Sequence, residues 1–217
     1  MRDQALLLTT WCGALRQSSA SNLDWGDLCD EGDDVRVLVR GAKGDLDGVG
    51  LEYWLTPSDD PSTCPVTAYR AYAAAVEREA GSHPGEFRRD EPFLVRVGRE
   101  GQARLDGHGR LMGLSGEAVS QRIQTLAGRA GLDGARFVGH SMRSGFITEA
   151  PNTDGVTPAQ VQSISGQQTP LRTVLVDHHP TKGELSTQRI DVTATQPDRL
   201  VPTGAEPGAE EHQRRVA

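Results

Sequence analysis

The opening of the chain carries apolar side chains at helical spacing. Leu7 and Leu8 are followed by Trp11 and Leu15 at steps of three and four residues, so they share one face of a helix over 3–16. A polar stretch comes directly afterwards and favours a loop. We therefore expect the chain to begin with an amphipathic helix whose apolar face packs on a core.

Two further segments alternate apolar and polar residues and predict a β-hairpin over 35–55. Val35, Val37 and Val39 alternate with charged or exposed positions, and the same period of two returns over 51–55. The residues between the two segments are rich in Gly and Asp, which favours a turn. This part of the chain therefore predicts a small antiparallel sheet.

Five later segments combine apolar positions at helical spacing with residues that start or stop a helix. The helix after Ser115 has Val119, Ile123, Leu126 and Ala130 on its predicted core face. The five segments start at Pro65, Ser115, His140, Thr157 and Pro170, and the third must stop before Pro151. The body of the chain is therefore mostly helical.

The remaining segments have no helical period. Residues 80–114 are rich in Gly and charge and predict a long loop around a short strand from Phe93 to Val97. Beyond Pro180 the sequence collects Thr, Pro, Gly, Gln and charges, which predicts a disordered tail over 181–217. We therefore expect an α+β domain over 1–180, mostly helical, with its sheet in the N-terminal half.

Composition narrows the class of protein. The 217 residues are 36% hydrophobic and 24% charged, and no apolar run approaches the length of a membrane span. Cys12, Cys29 and Cys64 are odd in number and widely spaced, so they form no fully paired disulfide framework and offer no CxxC pair for zinc. We expect a cytoplasmic protein without a membrane partner or a metal site.

The charge balance is acidic, with a net charge of -7. Nucleic-acid binders usually carry a basic footprint. The acid excess lies within the first 60 residues, which hold 5 basic and 12 acidic side chains, so the rest of the chain is neutral overall. A neutral body can present a local basic groove, although long-range steering by net charge is then weak.

Two cations stand out by their context. Arg16 is predicted at the end of the first helix, where a cation also interacts favourably with the helix dipole. Lys43 is predicted near the hairpin tip, and it is one of two lysines in a chain with 21 arginines. Lysine gives up a proton more readily than arginine, although a solvated turn explains Lys43 equally well.

His140 and Arg143 form a pair three residues apart in the segment GHSMRSGF. On a helix this spacing puts two side chains on one face. Guanidinium offers a fork of donors to two phosphate oxygens, and imidazole exchanges a proton near neutral pH. The pair therefore suits a phosphate, although HxxR also occurs by chance, and the chain contains no GxSxG, P-loop, GxGxxG or HExxH motif.

These segments together resemble the catalytic domain of tyrosine recombinases, the phage integrase family. The resemblance begins with the order of an Arg in a GLR-like segment, a Lys in a hairpin and GHSxRxGF near the C-terminus. It covers residues 2–180 in order. The supporting segments are Arg2–Leu8, Leu23–Leu28 (similar to L-x-W-x-D-I), Cys64–Ala68, Ala130–Asp133 and Ser165–Gly166.

The resemblance implies a DNA strand transferase without a metal or nucleotide cofactor. In this family a tyrosine attacks the scissile phosphodiester, which forms a 3′-phosphotyrosyl link and releases a 5′-hydroxyl. By position, Arg16 and Arg143 would clamp the non-bridging oxygens and stabilise the growing charge. Lys43 would protonate the leaving oxygen, and His140 would exchange a proton with the nucleophile.

Two family positions are substituted here. Gln167 stands where the family has His or Trp, and Asp177 stands at the place of the nucleophilic tyrosine, allowing for one extra residue in the spacing. The three tyrosines of the chain are Tyr53, Tyr69 and Tyr72, all in the hairpin or the following helix, where core packing is expected. The resemblance therefore implies that the chain's own cleavage chemistry is lost.

Three hypotheses remain open from the sequence. The first is an integrase-family protein that binds DNA in site-specific recombination and integration but is degenerate for strand cleavage. The second is a non-enzymatic module that binds DNA or pairs with an intact recombinase. The third is an active recombinase that uses a tyrosine in trans or a displaced nucleophile such as His178 or His179. DNA is the expected partner, together with an intact recombinase or further copies of the chain on DNA.

Overall fold

The computed structural model describes residues 1–41, 50–79, 89–153 and 156–166. Within these ranges helices surround a small sheet. In chain order the elements are α1 (Arg2–Cys12), α2 (Gln17–Ser21), β1 (Leu28–Asp30), β2 (Val35–Val39), β3 (Leu51–Leu55), α3 (Pro65–Glu79), α4 (Gly116–Arg129), α5 (Ser141–Glu149) and α6 (Pro158–Ser165), with short 3₁₀ turns at Trp25–Asp27, Gly134–Arg136 and Ala150–Asn152.

The sheet is antiparallel with strand order β1-β2-β3. Val37 of β2 lies opposite Tyr53 of β3 and Leu28 of β1, so the predicted hairpin is confirmed. The sequence does not predict β1, because Cys29 and Asp30 are exposed and three residues are too few to display an alternating pattern. The α+β class with a small antiparallel sheet in the N-terminal half is confirmed.

The first helix is shorter than its apolar pattern predicts. It ends at Cys12, and Ala14 then adopts a left-handed conformation with φ 46°. Leu15 is nevertheless buried, because the backbone turns back and its N–H donates to the Thr10 carbonyl at 2.9 Å. Arg16 is consequently the residue that precedes α2 rather than the end of α1.

The core is continuous between the helices and the sheet. Helix α1 packs against both α3 and α5. Trp25, Tyr72 and Phe93 form an aromatic cluster with ring centroids 4.9–5.6 Å apart, in which the Tyr72 hydroxyl donates to the Phe93 carbonyl at 2.8 Å. The short strand expected over 93–97 is instead a set of isolated bridges, among them Val95 with Gly113.

The later helices begin where the sequence predicts. Ser115 caps α4 with its side chain, and Thr157 forms a capping box at the start of α6. The core face of α4 differs by one position from the prediction. Ala127 is buried and Ala130 is exposed, because Ala130 follows the last helical residue.

Several sequence predictions lie outside the described residues. They are Lys43, Gln167, Asp177, the short helix from Pro170 and the tail over 181–217. Within the described ranges, none of the helices combines the length and apolarity that crossing a membrane requires.

Candidate functional site

Arg16 and Arg143 line the same open cleft between helices and sheet. Four parts of the fold form it: the connection from α1 into α2, the sheet, helix α5 and the end of α6. The described lining residues are Gly13, Ala14, Leu15, Arg16, Ser19, Val39, Leu51, Tyr53, Arg143, Ile164, Ser165 and Gly166. This list contains two guanidinium groups and no carboxylate.

Arg143 is held in the cleft by helix α5 and by one backbone hydrogen bond. It is 8% exposed, and its Nη1 donates to the Ala14 carbonyl at 3.0 Å. Burial lowers the pKa of the Arg143 guanidinium, and the positive charge of Arg16 lowers it further. Within the described residues no ion pair involves Arg143. A buried cation without a carboxylate is a favourable place for an anionic ligand.

Arg16 reaches the same cleft from the start of α2. Its backbone is extended, with φ -74° and ψ 153°, and its carbonyl accepts the N–H of Ala20. The side chain is partly exposed, and no ion pair joins it to another described residue. The two arginines therefore line the same cleft.

His140 does not line the cleft. It is the residue immediately before α5 and is exposed, whereas Arg143 is buried within that helix. Its carbonyl accepts the N–H of Ser144 at 2.8 Å. The backbone of His140 is already helical, so its placement on one face with Arg143 stays a prediction. Its role remains a prediction, as do those of Lys43, Gln167 and Asp177 outside the described residues.

Tyr53 is the cleft residue whose importance the sequence does not signal. The alternation of β3 marks it as a core residue, and it is 2% exposed. Its hydroxyl donates to the Thr9 carbonyl at 3.1 Å. Burial raises the pKa of Tyr53 well above its usual value, and the neighbouring Cys12 adds to this effect. A tyrosine in this state is a poor nucleophile, because the attacking species is the phenolate.

The other two tyrosines lie in the core around α3. Burial raises the pKa of Tyr69 to about 12 and that of Tyr72 further still. Neither lines the cleft in the part of the chain that the structure describes. No group of three or more His, Cys, Asp or Glu side chains suited to a metal occurs within the described ranges.

Comparison with known proteins gives matches to recombinases. No family model matches the chain. The chain is 27% identical over 154 residues to an integrase/recombinase XerD homologue of Selenomonas ruminantium, a match that covers 71% of this chain and 40% of the relative. The chain therefore spans about two-fifths of the length of that curated relative.

One solved structure shares the fold, and a second is a weaker match. The XerH site-specific recombinase bound to its difH substrate matches with a TM-score of 0.51 at 16% identity, over 77% of this chain and 40% of that one. The Tn1549 transposon integrase in complex with a circular intermediate DNA matches with a TM-score of 0.43 at 19% identity, over 76% of this chain and 50% of that one.

The first of these structures shows that the chain shares its fold with a site-specific recombinase. The sequence similarity to the XerD homologue points to the same group of proteins, the tyrosine recombinases or phage integrases, as the one that the chain resembles. The resemblance that the sequence motifs carry is thereby confirmed.

Proposed function

We propose that this chain binds the DNA backbone through the Arg16–Arg143 cleft, as a tyrosine recombinase catalytic domain associated with site-specific recombination and integration. The observation that carries the proposal is the pair of guanidinium groups in a cleft whose described lining contains no carboxylate. A phosphate between them would offset the repulsion of two like charges and supply acceptors for their donors.

We further propose that the domain does not cleave DNA by itself. By resemblance, Asp177 occupies the position of the family's nucleophilic tyrosine. A carboxylate there would meet an anionic phosphate, and its attack would give a labile acyl phosphate. The burial and high pKa of Tyr53 support the same conclusion, because a buried, protonated tyrosine cannot readily replace the missing nucleophile. In this proposal Lys43 and His140 stand at catalytic positions of the family, although the nucleophile that they would assist is absent.

DNA binding is tested by the dissociation constant of the full chain for a labelled duplex across a salt series. We expect weak binding that falls steeply with salt, because it depends on phosphate contacts in an acidic protein. Arg143→Ala should weaken binding by about tenfold or more and reduce the salt slope by about one. Arg129→Ala, at an exposed arginine at the end of α4, is the matched control. Salt-independent binding, or none at low salt, would contradict the proposal.

Cleavage is tested in the same preparation with a nicked duplex that traps a covalent adduct. We expect no adduct on this chain. An adduct that survives Tyr53→Phe, Tyr69→Phe and Tyr72→Phe but disappears when His178 or His179 is changed would show a displaced nucleophile instead. With an intact recombinase added, an adduct on the partner's tyrosine that needs this chain would show catalysis in trans.

A further inference from the structure

The ring of Tyr53 lies directly against the backbone where α1 ends. A Cβ atom built on Gly13 would come within 2.4 Å of Tyr53 Cζ, so only glycine allows this approach. The Tyr53 hydroxyl donates to the Thr9 carbonyl, which also accepts the N–H of Gly13 at 3.2 Å. Strand β3 therefore contacts the last turn of α1 through one buried side chain.

The segment that follows this contact holds both arginines. Ala14 is the one non-glycine residue with positive φ in the described ranges, and its carbonyl accepts the hydrogen bond from Arg143 Nη1. Arg16 lies two residues further on. The direction in which the chain leaves Gly13 thus determines the place of the Ala14 carbonyl and of Arg16 together. A left-handed alanine needs surrounding contacts that hold it there.

We infer that Tyr53 is a positioning residue, which fixes the Gly13–Arg16 connection and so sets the relative placement of the two cleft arginines. The inference rests on the proposed function in so far as the ligand of the cleft is a phosphate of DNA. Tyr53 acts through Gly13 and Thr9 and takes no part as a nucleophile, because its hydroxyl is already donated inside the fold.

Tyr53→Phe tests the part of this role that depends on the hydroxyl, because it removes the bond to the Thr9 carbonyl and keeps the ring against Gly13. Tyr72→Phe is the matched control, since Tyr72 is equally buried and its hydroxyl bonds the backbone of Phe93 and Val95, away from the cleft. We expect both variants to lower the thermal midpoint by a few degrees. Tyr53→Phe alone should weaken binding of a labelled DNA duplex, by roughly fivefold to tenfold, as expected for one misplaced charge-assisted hydrogen bond.

A second measurement does not depend on DNA binding. The side-chain NMR signal of Arg143, assigned from its loss in Arg143→Lys, should shift in Tyr53→Phe and stay in place in Tyr72→Phe. Unchanged DNA affinity or an unchanged Arg143 signal in Tyr53→Phe would overturn the inference, as would equal effects of both variants. If the unmodified chain binds no DNA, the proposed function fails, while the Arg143 signal still decides whether Tyr53 positions the arginine.

Discussion

Arg143 carries a buried positive charge, and the partly exposed Arg16 lies in the same cleft. Its guanidinium donates to the Ala14 carbonyl, and Arg16 lies close enough to lower its pKa after burial has done so. Desolvation and like-charge repulsion both oppose this arrangement in the absence of an anion. An anion that binds only the folded protein therefore stabilises it by mass action. In the function that we propose, this anion is a phosphate of the DNA backbone.

A carboxylate placed in the cleft should stabilise the protein and weaken its binding of DNA. Ser19 lines the cleft from α2, so Ser19→Asp would put an internal anion beside the two arginines. We expect DNA affinity to fall by about tenfold or more and the thermal midpoint to rise, because the new charge replaces the phosphate. Ser18→Asp is the control, since it adds the same charge to the same helix at an exposed position outside the lining. Equal losses of affinity in both variants would mean that net charge alone is responsible.

At the scale of elements, the junction of α1 and α2 determines the site. Apolar spacing continues to Leu15 as if α1 did, yet the helix ends at Cys12, and the next residue, Gly13, lies against the ring of Tyr53. The site thus depends on a strand that comes much later in the sequence.

Two glycine substitutions should have opposite effects on stability. Gly13→Ala forces a methyl group against the Tyr53 ring and should lower the free energy of unfolding by about 2 kcal/mol. Gly128→Ala lies within α4 with nothing near the added methyl, so it should raise the free energy by about 0.5–1 kcal/mol. Urea unfolding of both variants measures the difference. A neutral Gly13→Ala would mean that the ring does not hold the junction.

At the scale of the whole molecule, an ion-pair cluster joins the first helix to α4. Arg122 of α4 donates from Nε to Asp3 Oδ1 at 2.9 Å, and Arg2 donates to the same oxygen from Nη2 at 2.8 Å. Burial by itself raises the pKa of Asp3, but the hydrogen bonds from Arg122 and Arg2 outweigh it and lower that pKa to about 2. The cluster ties together segments 119 positions apart in the chain.

This cluster makes stability depend on pH in the acid range. Because the folded pKa of Asp3 is depressed, its contribution is present above the unfolded value of 3.8 and is lost as the pH falls from there towards 2. Asp3→Asn should remove about 1–2 kcal/mol at neutral pH and flatten the loss of stability between about pH 5 and 2. Glu117→Gln, at an exposed acid on α4, is the control. Chemical unfolding at a series of pH values checks this, and an unchanged acid slope in Asp3→Asn would contradict it.

The elements and the resemblance to tyrosine recombinases could be predicted because their signals are local. Ser115 and Thr157 cap their helices by bonding backbone a few residues away, and the period of two in Val35–Val39 follows from the pleat of a strand. The sequence does not predict strand β1, because three residues are too few to display an alternation of apolar and polar positions. The different exposure of His140 and Arg143 could not be predicted from their spacing, because it depends on which segments pack against the start of α5.

The sequence by itself determined the order of most helices and strands and the motifs that resemble those of a recombinase. Periodicity, helix caps and motifs depend only on residues that are close together in the chain. Only the tertiary structure decided that Arg143 is buried against Ala14, 129 positions away, and that Arg16 lines the same cleft. The contact of Tyr53 with the connection from α1 to α2 also exists only in the folded protein. Burial, charge proximity and a close backbone approach arise only when distant segments pack together. The chemistry of the cleft is therefore a property of that packing.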